Sequence, residues 1–249
     1  MSEGPPPGPP KKRLVRAPTR GADAERAAAV RLKTAKSRTP SSQAWLERQL
    51  NDPFVAEAKA RGYRSRAAFK LAEIDDKFHL LKEGARVVDL GAAPGGWSEI
   101  AVRRIGASGE IVALDILDMK PIPGVEFIKF DFLDAAAPDR LKAVLGGEAD
   151  VVFSDMAANA TGHRQTDHLR IMALAEAAAH FAREVLAPGG SFLCKVLQGG
   201  TEAALLAELK RDFASVKHIK PPASRSDSAE LYLLARGFRG SAGDGADAA

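Results

Sequence analysis

Hydrophobic residues are spaced unevenly along this chain, and the spacing divides it into three stretches. Residues 1 to about 37 carry no periodic apolar pattern and no aromatic residue. From Ser41 to Phe78 apolar residues recur three and four apart, the helical period. From Arg86 onward, short apolar runs such as Ile111-Val112-Ala113-Leu114 and Val151-Val152-Phe153 alternate with longer amphipathic segments. Runs this short and rich in β-branched residues read as buried strands.

The pattern predicts strands at 85–90, 110–115, 125–130, 150–155, 190–197, 215–220 and 230–236, with helices near 97–105, 138–145, 165–187 and 202–213. Regular alternation of this kind argues an α/β fold, a parallel sheet with helices on both faces. The last two strands are joined only by Pro221–Ala229, too short for a crossover helix, so they should run antiparallel. Three helices precede the sheet. Ser41-Ser42 caps the first, which carries Trp45, Leu46 and Gln49; the second runs from Asp52 to a stop at Gly62; the third spans Ser65 to Phe78.

Charge adds an asymmetry. Residues 1–70 hold 16 Lys/Arg and 6 Asp/Glu, a net of +10, whereas residues 71–249 hold 20 and 26, a net of −6. The leading segment 1–37, with five prolines in its first ten residues, has little to bury and reads as a disordered basic extension that can attract a polyanion. A small, acidic tail, 240–249, reads the same way, leaving 38–239 as the folded domain. No apolar run reaches the ~18 residues of a membrane span, so no membrane role is expected. A lone cysteine, Cys194, rules out an internal disulfide and fits a reducing, cytoplasmic setting. The five histidines show no metal-ligand spacing, and no metal is expected.

The most specific signal is Val87-Val88-Asp89-Leu90-Gly91-Ala92-Ala93-Pro94-Gly95-Gly96-Trp97, a strand, a loop nearly free of side chains, and a helix start. Such a loop lets a ligand approach the backbone closely. It does not match the dinucleotide fingerprint, and no Walker lysine follows it. Asp89, Asp115, Asp131 and Asp155 fall at the carboxyl ends of four successive predicted strands, the edge where open α/β sheets bind ligands. A single aspartate there is most simply a helix cap. Four on one edge suit a cationic ligand with hydrogen-bond donors better than a phosphate.

The Ala-Pro-Gly-Gly-Trp loop resembles motif I of class I S-adenosylmethionine-dependent methyltransferases, in the form found in the FtsJ-like RNA ribose methyltransferases. That resemblance extends over about residues 38–238. It implies a Rossmann-like, seven-stranded, mostly parallel sheet with one antiparallel strand. It places S-adenosylmethionine against Gly95, Trp97, Asp115, Asp131 and Asp155. It also maps the family's Lys-Asp-Lys-Glu tetrad onto Lys70 in Arg-Ala-Ala-Phe-Lys, Asp155 in Ser-Asp-Met-Ala, Lys195 in Phe-Leu-Cys-Lys-Val, and Glu230 in Ser-Ala-Glu-Leu-Tyr. By the same resemblance Lys195 takes the proton of a ribose 2′-hydroxyl, Lys70 and Glu230 orient it, and Asp155 positions Lys195. A lysine base must be neutral; burial beside Lys70 favours that form, and Asp155 with Glu230 favours the charged one. The implied substrate is a uridine of large-subunit (23S) ribosomal RNA, in the 50S ribosomal particle. A tRNA anticodon-loop ribose methylase and a non-catalytic ribosome-assembly protein are the alternatives. Lys59, Arg61, Arg64 and Arg66 precede Lys70 and are candidates for RNA contact, with Tyr63 or Trp45 for base stacking. One departure from the family pattern is Ala158, where proline is common.

Overall fold

The computed structural model describes residues 40–158, 161–198 and 203–240. The expectations for 1–37 and for the tail beyond Gly240, and the side chain of Trp45, lie outside what it describes. Three helices lead: α1 (Pro40–Leu50), α2 (Pro53–Ala60) and α3 (Ala67–Phe78). The sheet then alternates with helices: β1 (Arg86–Leu90), α4 (Gly96–Ile105), β2 (Glu110–Asp115), β3 (Val125–Lys129), α5 (Ala137–Leu145), β4 (Ala149–Ser154), α6 (Arg164–Val185), β5 (Leu186–Leu197), α7 (Ala203–Asp212), β6 (Phe213–Ile219) and β7 (Glu230–Phe238).

The strand order is β3-β2-β1-β4-β5-β7-β6. The pairs from β3 through to β5 are parallel; β7 runs antiparallel to both neighbours, β5 and β6. This is the mostly parallel sheet with one reversed strand expected from the chain's alternation and its short Pro221–Ala229 connection. Side chains alternate across the pleat. One face (Val88, Val112, Val152, Phe192, Cys194, Leu233) packs on α5, α6 and α7. The other (Val87, Ile111, Phe153, Leu193, Tyr232, Leu234) packs on α3 and α4. Thus α3, although it precedes the first strand, is a full core layer, with Ala68, Phe69, Leu71 and Ala72 wholly buried. No helix among the described residues is long and apolar enough to cross a membrane.

Most boundaries fall within two residues of the sequence reading. α1 begins at Pro40, so Ser41 and Ser42 lie in its first turn and do not cap it. Two other differences have a structural reason. β5 begins at Leu186 rather than 190, because Leu186 pairs with Ala149 ahead of a register shift that accommodates Pro188-Gly189-Gly190. α3 begins at Ala67 rather than Ser65. Its cap, Arg66, contributes no side-chain capping bond and instead reaches across to Asp52 and the Ala223 carbonyl.

Candidate active site

The loop after β1 is shaped by contacts that leave no room for side chains. Gly91 turns with φ +77°, and a Cβ there would lie 2.7 Å from Met156 Cγ and 2.9 Å from its Cα. The amides of Gly91 and Ala92 both donate to the Leu114 carbonyl, at 2.8 and 3.2 Å, which fastens the loop to the end of β2. Asp115 completes the junction: Oδ2 accepts the Ala93 amide at 2.9 Å and Oδ1 accepts that of Leu117 at 2.8 Å. Gly95 caps α4 with φ +101°, where a Cβ would meet Ile122 and Met119 within 3 Å. The Arg64 guanidinium holds that neighbouring loop through the carbonyls of Lys120 and Pro121, each at 2.7 Å.

Beside the glycine loop lies a cleft of about 330 Å³. Its walls are apolar, from Leu114, Ile116, Phe132, Leu133, Met156 and Leu174, and its polar groups include the carboxylates of Asp115 and Asp131. Asp131 Oδ1 accepts the Leu133 amide at 2.9 Å, which fixes the carboxylate at the mouth. Ile116 and Leu133, 58 % and 61 % exposed, form an apolar lip. The size and lining fit an adenosyl group: a flat base between apolar walls, with hydroxyl and amine donors facing carboxylates. Trp97 does not line this cleft. It is buried, its indole Nε1 donates to the Ala67 carbonyl at 3.0 Å, and its ring stacks edge-on against Phe153 and at a tilt on Tyr232. Only the backbone of Trp97, in the first turn of α4, belongs to the loop.

The four tetrad positions converge at the same sheet edge. Lys70 comes from α3, Asp155 follows β4, Lys195 lies near the end of β5, and Glu230 opens the antiparallel β7. They form two ion pairs: Lys195 Nζ to Asp155 Oδ1 at 2.7 Å, and Lys70 Nζ to Glu230 Oε1 at 2.6 Å. Lys195 Nζ also donates to the Asp155 carbonyl at 2.8 Å. Burial alone would raise the Asp155 carboxyl; the charges of Lys195 and Lys70 and two hydrogen bonds outweigh it and hold the group below the ordinary carboxylate value.

Tyr232 stands between these pairs, and the sequence reading did not single it out. Its hydroxyl donates to Asp155 Oδ1 at 2.8 Å, accepts from Lys70 Nζ at 3.1 Å, and lies 3.2 Å from Glu230 Oε1. Burial, then the two nearby carboxylates, push its ionisation well above the usual phenol range, so it is a neutral donor. The available signal was its spacing: Glu230 and Tyr232 are two apart on one strand and share a face.

Asp89 is fully buried on the same face. It accepts the Ser98 hydroxyl at 2.6 Å, while its Oδ1 has no hydrogen-bond partner. Burial, opposed by Ser98 and reinforced by the Asp155 and Asp115 charges, raises its carboxyl to about 7. Cys194 lies wholly in the core, and burial pushes its thiol up to about 12, which excludes it as a nucleophile at neutral pH.

Three of the basic residues ahead of Lys70, Arg61, Arg64 and Arg66, are engaged in the fold. Arg66 pairs with Asp52 at 3.0 Å and donates to the Ala223 carbonyl at 2.6 Å; Arg61 pairs with Glu57. Tyr63 packs edge-on against Phe69, with the Arg103 guanidinium over its ring, so it is not an open stacking platform.

Known proteins resemble this chain. Residues 63–238 match the model of the FtsJ-like methyltransferases. Ribosomal RNA large subunit methyltransferase E of Xanthobacter autotrophicus is 64 % identical over 228 residues, covering 90 % of this chain and 89 % of that protein. The protein of the same name from Azorhizobium caulinodans is 65 % identical, covering 86 % and 90 %. A crystal structure assigned as a ribosomal RNA methyltransferase from Plasmodium falciparum superposes with a TM-score of 0.64 at 31 % identity, over 72 % of this chain and all of that one. With the family model matched over residues 63–238 and relatives 64–65 % identical over most of both chains, this chain belongs to the FtsJ-like methyltransferase family.

Proposed function

We propose that this protein transfers a methyl group from S-adenosylmethionine to the 2′-hydroxyl of a uridine ribose in large-subunit (23S) ribosomal RNA. Two things support the substrate: relatives named for the large-subunit RNA, at 64–65 % identity over most of both chains, and the tetrad geometry. The observation that carries the chemistry is the Lys195–Asp155 pair, at 2.7 Å, beside a cleft that fits an adenosyl group.

When bound, the cofactor supplies an electrophilic methyl group. The chain's own part is to hold and deprotonate the hydroxyl. Lys195, with Nζ held by both the carboxylate and the carbonyl of Asp155, is placed to accept the hydroxyl proton. Lys70, fixed by Glu230, orients the attacking oxygen from the side of α3. Asp115 and Asp131 hold the cofactor's donors, and Gly91 lines the cleft without a side chain, while Gly95 sets the turn into α4. Residues 38–239 form the methyltransferase domain. The net charge of +10 over residues 1–70 adds attraction for RNA phosphates.

The test is a map of 2′-O-methyl sites in ribosomal RNA from cells with and without the gene, together with methylation of 50S particles, free 23S RNA and tRNA by the purified protein. A uridine site lost from 23S RNA and restored by the protein on large-subunit particles is the expected result. Methylation confined to tRNA would replace the reading with an anticodon-loop enzyme. Cofactor binding without transfer to any RNA would leave an assembly factor.

A further inference from the structure

We propose that Tyr232 is a positioning residue that sets the proton affinity of the Lys195–Asp155 pair, an inference that rests on the reading of this site as a ribose methylase. Asp155 Oδ1 receives two donors, the Lys195 ammonium at 2.7 Å and the Tyr232 hydroxyl at 2.8 Å. They compete for the electron density of one oxygen. The hydroxyl takes part of the charge that would otherwise hold the proton on Lys195, so it makes that lysine easier to deprotonate. Tyr232 is suited to this. It is wholly buried, its ring is clamped against Trp97, and it sits opposite Lys195 in the β5–β7 register.

The hydroxyl has one proton and two carboxylate acceptors in reach, Asp155 at 2.8 Å and Glu230 at 3.2 Å. Lys70 at 3.1 Å donates to the phenol oxygen and directs its proton away from itself. Ser224 donates to Glu230 at 3.1 Å, and Lys70 pairs with the same oxygen, so Glu230 is already supplied. The proton therefore goes to Asp155. The other charged groups in electrostatic reach are Arg66 at the head of α3, Asp89 on β1 and Asp115 on β2.

The test compares wild type with Tyr232→Phe, which keeps the ring in the core. Single-turnover methylation of large-subunit particles at saturating cofactor is followed from pH 6 to 10. In parallel, the ligand-free protein, with lysines carbon-13-labelled at Cε, is titrated by NMR, and the Lys195 signal is assigned by its loss in Lys195→Arg. A hydrogen bond to a charged group, lost from Asp155, should move the half-maximal pH of the rate and the Lys195 midpoint upward together by about one unit. The rate near neutral pH then falls about tenfold and recovers at high pH, with cofactor affinity unchanged. A rate lowered by the same factor at every pH, with an unmoved Lys195 midpoint, assigns Tyr232 to packing alone and overturns the proposal. Should the wild type methylate no ribosomal RNA, the functional reading fails, and the Lys195 midpoint still decides the role of Tyr232.

Discussion

Gly91 and Met156 touch through their backbones: a Cβ on the glycine would come within 2.9 Å of the Met156 amide nitrogen. The glycine loop after β1 and the segment that carries Asp155 are thus in direct contact. Gly91→Ala must both adopt a left-handed φ and displace Met156. We expect a loss of about 1–3 kcal/mol in stability, together with weaker cofactor binding, because Met156 lines the cleft. Denaturant unfolding and calorimetry check this; a variant with native stability and affinity would show that the two segments move independently.

Asp115→Ala removes the acceptor for the amides of Ala93 and Leu117 as well as a carboxylate at the cleft. Cofactor affinity should drop by about 1.5–3 kcal/mol, the scale of hydrogen bonds to a charged group. Asp115→Asn keeps one acceptor oxygen and should fall between the two. Equal affinity of wild type and alanine variant by calorimetry would take Asp115 out of cofactor binding.

Lys195→Ala should lower single-turnover methyl transfer by ~10²–10⁴-fold while sparing cofactor affinity. Lys195→Arg should be nearly as damaging, because a guanidinium keeps its proton. Near-normal rates in the arginine variant would show that Lys195 acts by charge alone and that another group takes the proton.

Asp89 makes stability depend on pH in an unusual direction. Its folded carboxyl titrates at about 7, above the unfolded value, so the folded state binds the extra proton between roughly pH 4 and 7. Stability from this group is therefore full at low pH and declines as pH rises through 7, by at most about 4 kcal/mol. Asp155, held below its ordinary value, acts oppositely and at lower pH, losing its contribution only as its carboxylate is protonated. Asp89→Asn should flatten the decline between pH 5 and 7.5 in urea unfolding. A wild type and variant that run parallel across that range would contradict the assignment.

Much of the molecule is legible in the sequence because strands buried on both faces are written as continuous apolar runs, as in Val151-Val152-Phe153. The tetrad positions are legible by resemblance, and the fold brings all of them to one edge. Tyr232 escaped because, among Leu231, Leu233 and Leu234, it reads as another core residue. Its role depends on the pairing of Lys195 with Tyr232 across β5 and β7, which no single strand contains. Arg64 and Arg66 read as RNA contacts because a sequence shows charge without partners. Asp52 and the Lys120, Pro121 and Ala223 carbonyls become their partners only in the folded chain.

The separation of 162 residues between Lys70 and Tyr232 has a consequence for the order in which the protein becomes active during synthesis. The glycine loop, the cleft and the strands β1 to β5 are complete by residue 197. Glu230 and Tyr232 arrive only with β7, which must insert between β5 and β6. A nascent chain emerging from the ribosome can thus assemble its donor-binding half first, while Lys70 lacks its carboxylate and Asp155 lacks its phenol. On the proposed mechanism, docking of the reversed strand is the step that completes the set of catalytic groups, after translation has passed the last strand.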